Sequence, residues 1–384
     1  MELNVFLFLA VLFILVYFLG RSIERLSVPW IFSALLVGLV FSGLGIFRKI
    51  ALSDEFMFIA HLGMYFLLFI IGYEIDFKTV LKQKMLILRT TIFIVLAETV
   101  VGGSVLHFVF KVPVDIAYVL GLSFATVGEA ALLPILDRFG LTRTELGKTA
   151  INVAVLDDVF EIFAIFLLSI ILSVDLGYSK AGIVSAFLIV ILLFLLSSIF
   201  AFIRKPPSVL PFPILFLFFI GIVFLFVGVA KLINMPALGA LLSGIAIKNF
   251  VPKKLKGLFS KEIRVVAYGF FAPLFFFDVG LQTNVHYLIS APLTVLGFMA
   301  LIKATKVGST FLASRTYLGN RRATVLGFLM SIKFSTSIVV AKLFYSAGLI
   351  TNDVFSLLIG IKILFKFIVP FIVGMLIKRW GIRR

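Results

Sequence analysis

The chain has 384 residues, of which 62% are hydrophobic and 14% are charged, with a net charge of +17 and no cysteine. This composition excludes a soluble globular protein, and the lack of cysteine excludes disulfides and thiol chemistry. The positive charge is explained better by membrane topology than by nucleic acid, so no nucleic-acid partner is expected.

Thirteen apolar segments have about the 20-residue length that crosses a bilayer. They are continuous rather than alternating, which favours helices over a barrel and predicts an all-α polytopic membrane protein. Residues 1–384 are expected to form a single integral membrane domain without a soluble regulatory domain. The predicted spans are 3–20, 28–46, 56–75, 85–110, 115–137, 148–173, 182–203, 209–231, 235–248, 265–282, 288–314, 323–347 and 353–377.

The basic residues predict how the chain is oriented. Alternate loops, beginning after the first span and ending with the C-terminal tail, hold 24 Lys and Arg residues, whereas the other loops hold 5. Because basic loops stay in the cytoplasm, the N-terminus is expected outside and the C-terminus in the cytoplasm.

Two segments of the chain resemble each other at an offset of 207 residues. "SVPWIFSALLVGLV" at 27–40 resembles "NMPALGALLSGIAI" at 234–247, and the same offset carries "ATVGEAALLP" at 125–134 onto "IKFSTSIVVA". The pattern predicts two six-helix repeats, about 1–173 and about 209–377, joined by a linker helix at about 182–203. The first span of the first repeat would enter the cytoplasm, whereas the first span of the second repeat would leave it. The repeats would therefore be inverted, as in many secondary transporters.

The fifth and twelfth spans contain residues that favour a break. Gly121, Thr126 and Gly128 precede Glu129, and serines surround Lys333. Small and polar residues let a helix unwind where it lines a cavity, so crossed, discontinuous helices are expected. A kinked helix packed by small residues is the alternative.

The sixth span contains the stretch "NVAVLDDVFEIF" with three acids. On a helix Asp157, Asp158 and Glu161 fall within roughly one 100° arc, so they can face one cavity. Ionisable groups inside a membrane are functional candidates, and a carboxylate there lets a cation and a proton compete for one site. An acid paired with a neighbouring helix is the alternative for Glu161.

Other charges also lie within the spans, with most acids in the first half and the lysines in the second. This asymmetry predicts charge pairing between the halves. Glu98 is interpreted as a packed or interfacial acid, and Asp278 is placed near the outer end of its span. The intramembrane lysines are Lys303, Lys306, Lys333, Lys342, Lys362 and Lys366.

Four stretches together resemble the cation/proton antiporter superfamily over nearly the whole chain. They are "SFATVGEAALLPILDRFGLTRTELGKTAINVAVLDDVFEIFAIFLL", "SVPWIFSALLVGLVFSGLG", "LGMYFLLFIIGYEIDF" and "FFAPLFFFDVGLQTN". The Asp-Asp pair is the most specific element and resembles the electrogenic branch. The resemblance implies a secondary transporter rather than an enzyme, without a cofactor, in the cell (inner) membrane and as a homodimer.

The resemblance also implies roles for individual residues. Asp158 would bind the Na⁺ and carry the proton, with Thr126 beside it, and Asp157 would be the second acid. Asp157 would pair with a lysine of the eleventh span, Lys306 by preference and Lys303 otherwise. Where relatives have Thr-Asp-Pro, this chain has Thr126-Val127-Gly128.

Two further charges fall in the segments expected to cross. Lys333 takes the place of a basic residue common in the twelfth span, and Glu129 either pairs with Lys333 or acts directly.

The function predicted from the sequence is the exchange of Na⁺ for H⁺ by alternating access, with net charge movement. The motif leaves Li⁺ or K⁺ open as the exchanged cation, and K⁺/H⁺ exchange is the first alternative. A non-transporting, ion-sensing membrane protein and a sodium-coupled organic-anion symporter are the others.

Overall fold

A computed structural model describes the chain at residues 4–25, 28–45, 47–74, 85–124, 129–175, 191–192, 195–196, 199, 211–251, 254–331 and 335–382. Within these ranges the side chains of Glu129, Asp158 and Glu161 are not described, although their backbone is.

The described secondary structure is helical. The main helices are α1 (Val5–Glu24), α2 (Phe32–Leu44), α3 (Asp54–Glu74), α4 (Met85–Phe108), α5 (Val114–Leu122), α6 (Glu129–Arg138), α7 (Glu145–Asp175), α8 (Phe212–Lys231), α9 (Pro236–Phe250), α10 (Lys256–Arg264), a π-helix (Val265–Phe271), α11 (Ala272–Gln282), α12 (Pro292–Leu318), α13 (Asn320–Met330), α14 (Ser335–Ser346) and α15 (Asn352–Trp380). Single turns or short helices lie at Arg48–Ala51 and Val285–Ser290.

These helices fit an integral membrane protein. Within the described residues, seven helical segments are long and apolar enough to span a bilayer, and α2, α9 and part of α14 are shorter apolar helices. Lipid offers no partner for backbone N–H and C=O groups, so helices satisfy them internally. The predicted linker span, 182–203, lies almost wholly outside the described residues.

Both spans that were expected to break contain a helix end. α5 ends at Leu122 and is followed by turn residues, and α6 begins at Glu129. In the twelfth predicted span α13 ends at Met330 and α14 begins at Ser335. α5 and α14 contact each other.

The helix bounds recur at an offset of 207 residues. Adding 207 to the bounds of α1 gives 212–231, the bounds of α8. Adding it to the first residues of α4 and α7 gives 292 and 352, the first residues of α12 and α15. The offset of 207 residues is therefore found in the helix bounds as well as in the two pairs of sequence stretches that first indicated a repeat.

Close helix contacts recur in the same way. An alanine Cβ at Gly121 of α5 would lie 2.8 Å from the carbonyl oxygen of Thr99, and one at Gly327 of α13 would lie 3.0 Å from that of Val307. Gly327 follows Gly121 by 206 residues and Val307 follows Thr99 by 208, so α13 crosses α12 as α5 crosses α4.

The described chain divides into two compact units. One comprises residues 1–48, 76–164 and 279–384, and the other comprises 49–75 and 165–278. In the second unit α3 and α9 cross with their backbones in contact, because Gly72 faces the carbonyl of Leu241 and Gly244 faces that of Phe69. The first unit carries the intramembrane charges discussed next.

Candidate functional site

Lys306 lies on a buried polar stripe of α12. Thr310 and Ser314 follow it at one-turn spacing, and all three side chains are buried. The hydroxyl of Thr310 donates a hydrogen bond to the carbonyl oxygen of Lys306 at 2.7 Å. The exposed side of the helix carries leucines such as Leu301 and Leu312. A membrane helix that turns its polar side inward is typical of one that serves an internal ion site.

Three charged side chains meet at this stripe, and we call Glu98, Asp157 and Lys306 the charge cluster. The Nζ of Lys306 donates a hydrogen bond to Oε2 of Glu98 at 2.9 Å, and it lies 4.0 Å from Oδ2 of Asp157. All three side chains have 0% exposure. One lysine thus stands within ion-pair distance of acids from two different helices, α4 and α7.

The charge cluster must be paired because charges are costly away from water. Moving an isolated ammonium or carboxylate into the protein interior costs several kcal/mol, and an ion pair with hydrogen bonds offsets that cost. The 2.9 Å contact is a charge-assisted hydrogen bond, whereas 4.0 Å is an ion pair without that bond. In this structure Glu98 is therefore the closer partner of Lys306.

The charge cluster lies beside the end of α5. Thr99 follows Glu98 directly, and its carbonyl is in the close contact with Gly121 described above. Gly121 is the penultimate residue of α5, so the helix ends within about one turn of Glu98 along α4. A side chain on Gly121 would push α5 away from α4, which explains why the sequence has glycine there.

Lys303 lies one turn before Lys306 and has a different set of contacts. Its Nζ donates a hydrogen bond to the carbonyl oxygen of Ser331 at 3.1 Å and lies 4.2 Å from the ring centroid of Phe365. Ser331 is the C-cap of α13, where carbonyls lack intrahelical partners and the helix dipole is negative. Lys303 therefore joins α12 to the end of α13 and to α15.

Three further intramembrane lysines of the second half are also buried. Lys342, Lys362 and Lys366 have little solvent exposure, and Lys362 donates a hydrogen bond to the carbonyl of Ser337 at the start of α14. Like Lys303, Lys362 binds a main-chain carbonyl close to where the twelfth predicted span is interrupted.

Five predicted site residues cannot be assessed by contacts. Asp158 and Glu161 belong to α7, and Glu129 is the first residue of α6, but their side chains are not among those described. Thr126 and Lys333 lie outside the described residues. The roles inferred for these five residues remain predictions.

Glu98 is the participant that the sequence interpretation missed, since it was assigned a packing or interfacial role. One signal could have found it, because an acid in the middle of a span is a candidate by itself.

Comparison with known proteins decides the family. A family model described as "Sodium/hydrogen exchanger, transmembrane" matches residues 9–379. The chain belongs to the sodium/hydrogen exchanger family. The resemblance to cation/proton antiporters is thereby confirmed, and this family member is a multi-pass membrane transporter rather than an enzyme.

Two curated relatives match over nearly their whole length. The probable Na⁺/H⁺ antiporter 3 of Methanocaldococcus jannaschii is 25% identical over 383 residues, covering 96% of this chain and 94% of the relative. The Na⁺/H⁺-K⁺ antiporter GerN of Bacillus cereus is 23% identical over 382 residues, covering 96% and 95%.

The fold of this exchanger-family chain is also found among solved structures. The sodium proton antiporter MjNhaP1 from Methanocaldococcus jannaschii superposes with a TM-score of 0.67 and covers 98% of this chain and 96% of that chain. The sequences are 16% identical, so the likeness concerns the fold. It agrees with the predicted all-helical membrane architecture.

Proposed function

We propose that this chain exchanges Na⁺ for H⁺ across the cell membrane, with Asp158 and Asp157 as the groups that bind the cation and the protons. The observation that carries the proposal is the buried charge cluster, which brings Asp157 of α7 next to Lys306 of α12. A carboxylate so placed is neutralised by a lysine, a proton or a cation, and exchanging the last two is antiport.

The recurring helix bounds support alternating access as the mechanism. Two repeats that cross the membrane in opposite directions can exchange conformations, so that one site opens to either side in turn. The helix ends at Leu122 and Met330 support the view that discontinuous helices line this site. The inverted repeats of about 1–173 and 209–377, with Thr126, Glu129 and Lys333 near their crossing, are part of this proposal.

K⁺/H⁺ exchange on the same scaffold is the second candidate. It is favoured by the relative from Bacillus cereus, whose name includes both Na⁺ and K⁺. Neither an ion sensor nor a sodium-coupled organic-anion symporter would move protons when the cation is added alone. Adding Na⁺ or K⁺ alone therefore separates the two exchangers from each other and from both of these alternatives.

The test is purified protein in vesicles that contain a pH-sensitive dye. Addition of Na⁺ or K⁺ alone should drive proton movement in the wild type, and Asp158→Asn should abolish it by removing both the titratable group and the anionic ligand. Asp115→Asn is the matched control, because Asp115 is an exposed aspartate at the start of α5. Near wild-type exchange by a folded Asp158→Asn protein would contradict the proposal.

Oligomeric state and orientation complete the proposal. We expect a homodimer, which light scattering of the detergent-solubilised protein would detect. We also expect each chain to have its N-terminus outside and its C-terminus in the cytoplasm.

A further inference from the structure

A groove of about 520 Å³ lies between α12 and α13. α12 contributes Ala304, Gly308 and Phe311 to its wall, and α13 contributes Thr324 and Phe328. These residues are three or four positions apart along each helix, so each helix presents one face to the groove. The volume lies within the range of about 300–1,000 Å³ that ligand sites occupy. The groove is therefore large enough to hold a ligand.

The groove opens on the side of α12 that faces lipid. The neighbouring α12 residues Leu301 and Leu312 are 43% and 54% exposed. A Cβ added at Gly308 would meet no atom within 4 Å, so the space over this glycine is open. The hydroxyl of Thr324 donates a hydrogen bond to the carbonyl oxygen of Asn320 in its own helix at 2.9 Å. Because this polar group is already satisfied, the wall suits a hydrocarbon chain.

Two arginines lie at one end of the groove. Arg315 follows Phe311 by one turn of α12, and its guanidinium carbon lies 6.0 Å from the Phe311 ring centroid. On α13, Arg321 lies one turn before the wall residue Thr324, on the same helix face. Both arginines are exposed, and no acidic side chain that the structure describes lies within ion-pair distance of either. This end of the groove therefore carries two positive charges that attract an anion.

The length of the groove fits one leaflet of a bilayer. Arg315 follows Ala304 by 11 residues, which corresponds to about 16 Å along the helix axis. Half of the hydrocarbon core of a bilayer is about 15 Å thick. The arginines lie at the end of α12 that is expected in the cytoplasm, so the apolar wall runs from the cytoplasmic headgroup region towards the bilayer centre. At the inner end, the ammonium of Lys303 is bonded to the carbonyl of Ser331.

We propose that this groove binds one anionic phospholipid of the cytoplasmic leaflet. Its phosphate lies at Arg315 and Arg321, and one acyl chain follows the wall over Gly308. Guanidinium groups bind phosphate oxygens through paired, charge-assisted hydrogen bonds, and basic pockets between transmembrane helices on the cytoplasmic side bind anionic headgroups. Two arginines favour a headgroup with net negative charge over a zwitterionic one, since the cation of the latter is repelled. The site is independent of the exchanged cation and requires only that the chain spans a bilayer.

The experiment is a lipid titration of the detergent-solubilised protein, read by native mass spectrometry. Phosphatidylglycerol and phosphatidylcholine with the same acyl chains are compared, and the wild type should bind the first lipid more tightly. Arg315→Gln/Arg321→Gln should weaken phosphatidylglycerol binding about 30-fold, because each basic residue near an anionic headgroup contributes about fivefold. Arg21→Gln/Arg25→Gln, which removes two exposed arginines at the end of α1, should leave the affinity unchanged. Equal affinities of the wild type for the two lipids, or equal losses in the two double variants, would overturn the proposal.

A second pair of variants tests the acyl-chain position. Gly308→Leu places a side chain in the open space of the groove, whereas Gly297→Leu places the same side chain in open space elsewhere on α12. Both variants replace a glycine inside a helix, which favours the helix. The preference for phosphatidylglycerol over phosphatidylcholine should be lost in Gly308→Leu and kept in Gly297→Leu. Retention of the preference in a folded Gly308→Leu protein would refute the acyl-chain position, and the arginine variants test the site if Gly308→Leu does not fold.

The same samples distinguish other occupants of the groove. If a second copy of this chain filled it, Gly308→Leu but not Gly297→Leu would convert a dimer into a monomer in the mass spectrum. If part of the same chain filled it, lipid-free Gly308→Leu would melt at a lower temperature than Gly297→Leu. Either result would overturn the lipid proposal. Failure of the proposed function, seen as wild-type vesicles that move no protons on addition of Na⁺ or K⁺, would leave the lipid site standing.

Discussion

Lys303 donates a hydrogen bond from Nζ to the carbonyl oxygen of Ser331, the C-cap of α13, at 3.1 Å. The lysine is 7% exposed, and its ammonium also lies over the ring of Phe365. A cation at a helix C-terminus interacts favourably with the helix dipole, and a buried carbonyl without a partner is costly. The contact therefore stabilises the end of α13, next to the interruption of the twelfth predicted span.

Lys303→Met should lower stability through this contact. Methionine keeps most of the apolar stem but leaves the Ser331 carbonyl without the ammonium, at a cost of about 1.5–3 kcal/mol for a hydrogen bond that involves a charge. The melting temperature in detergent should fall, and Lys303→Arg should recover part of the loss. Lys254→Met, at an exposed lysine, serves as the control. Equal melting temperatures for both methionine variants would show that the contact contributes nothing.

Gly72→Ala should destabilise the crossing of α3 and α9. The added Cβ would collide with the carbonyl of Leu241, which is backbone and cannot rotate away. Overpacking of this kind costs about 1–3 kcal/mol. Gly221→Ala is the matched control, because a Cβ there meets no atom within 4 Å and alanine favours the helix. The melting temperature should fall for the first variant and stay or rise for the second, and the reverse order would contradict the described packing.

Two ion pairs between described residues, each at hydrogen-bond distance, should differ in how much they contribute to stability. Arg264 lies 2.8 Å from Glu74, but the two side chains are 55% and 41% exposed, whereas Lys306 and Glu98 are fully buried. Arg264→Gln should therefore cost at most about 1 kcal/mol, and Lys306→Gln about 3 kcal/mol or more. Thermal unfolding of both variants in one detergent provides the comparison. Similar losses would show that Glu98 is readily neutralised when its lysine is absent.

Opposite placement of the two termini is the expected topology. A reporter fused after Arg384 should be active in the cytoplasm, and a tag placed before Glu2 should be reached from outside intact cells. The 24-to-5 distribution of basic loop residues is the reason. If both termini are found on the same side, the number of spans is even and the thirteen-span topology is wrong.

The positions of the helices could be predicted because the bilayer imposes a simple condition. Every apolar segment must satisfy its own backbone hydrogen bonds, so long apolar runs become helices. The run predicted at 209–231 is α8, Phe212–Lys231, and the run predicted at 353–377 lies within α15, Asn352–Trp380. Local residues adjust the ends, since Pro292 begins α12 and Gly319, with a φ of 75°, follows its last residue.

The sequence also determined which chemistry to expect. Acids within apolar runs are few, and Asp157 and Asp158 stand together in a motif that resembles one family, which the comparison confirmed. The offset of 207 residues was visible in two short stretches before the helix bounds repeated it.

Only the tertiary structure decided which acid is the closer partner of Lys306. The family resemblance implied Asp157, and Glu98 was expected to have a packing or interfacial role, but the structure places Glu98 at 2.9 Å and Asp157 at 4.0 Å. The choice depends on how far α4, α7 and α12 are rotated about their axes, and one residue of rotation turns a side chain by 100°. That rotation is set by the packing of residues on separate helices, which can be far apart in the chain. The contact of Gly121 on α5 with Thr99 on α4 is an example. A local pattern reports which side chains share a helix face, whereas the distance between two faces exists only after the helices have packed.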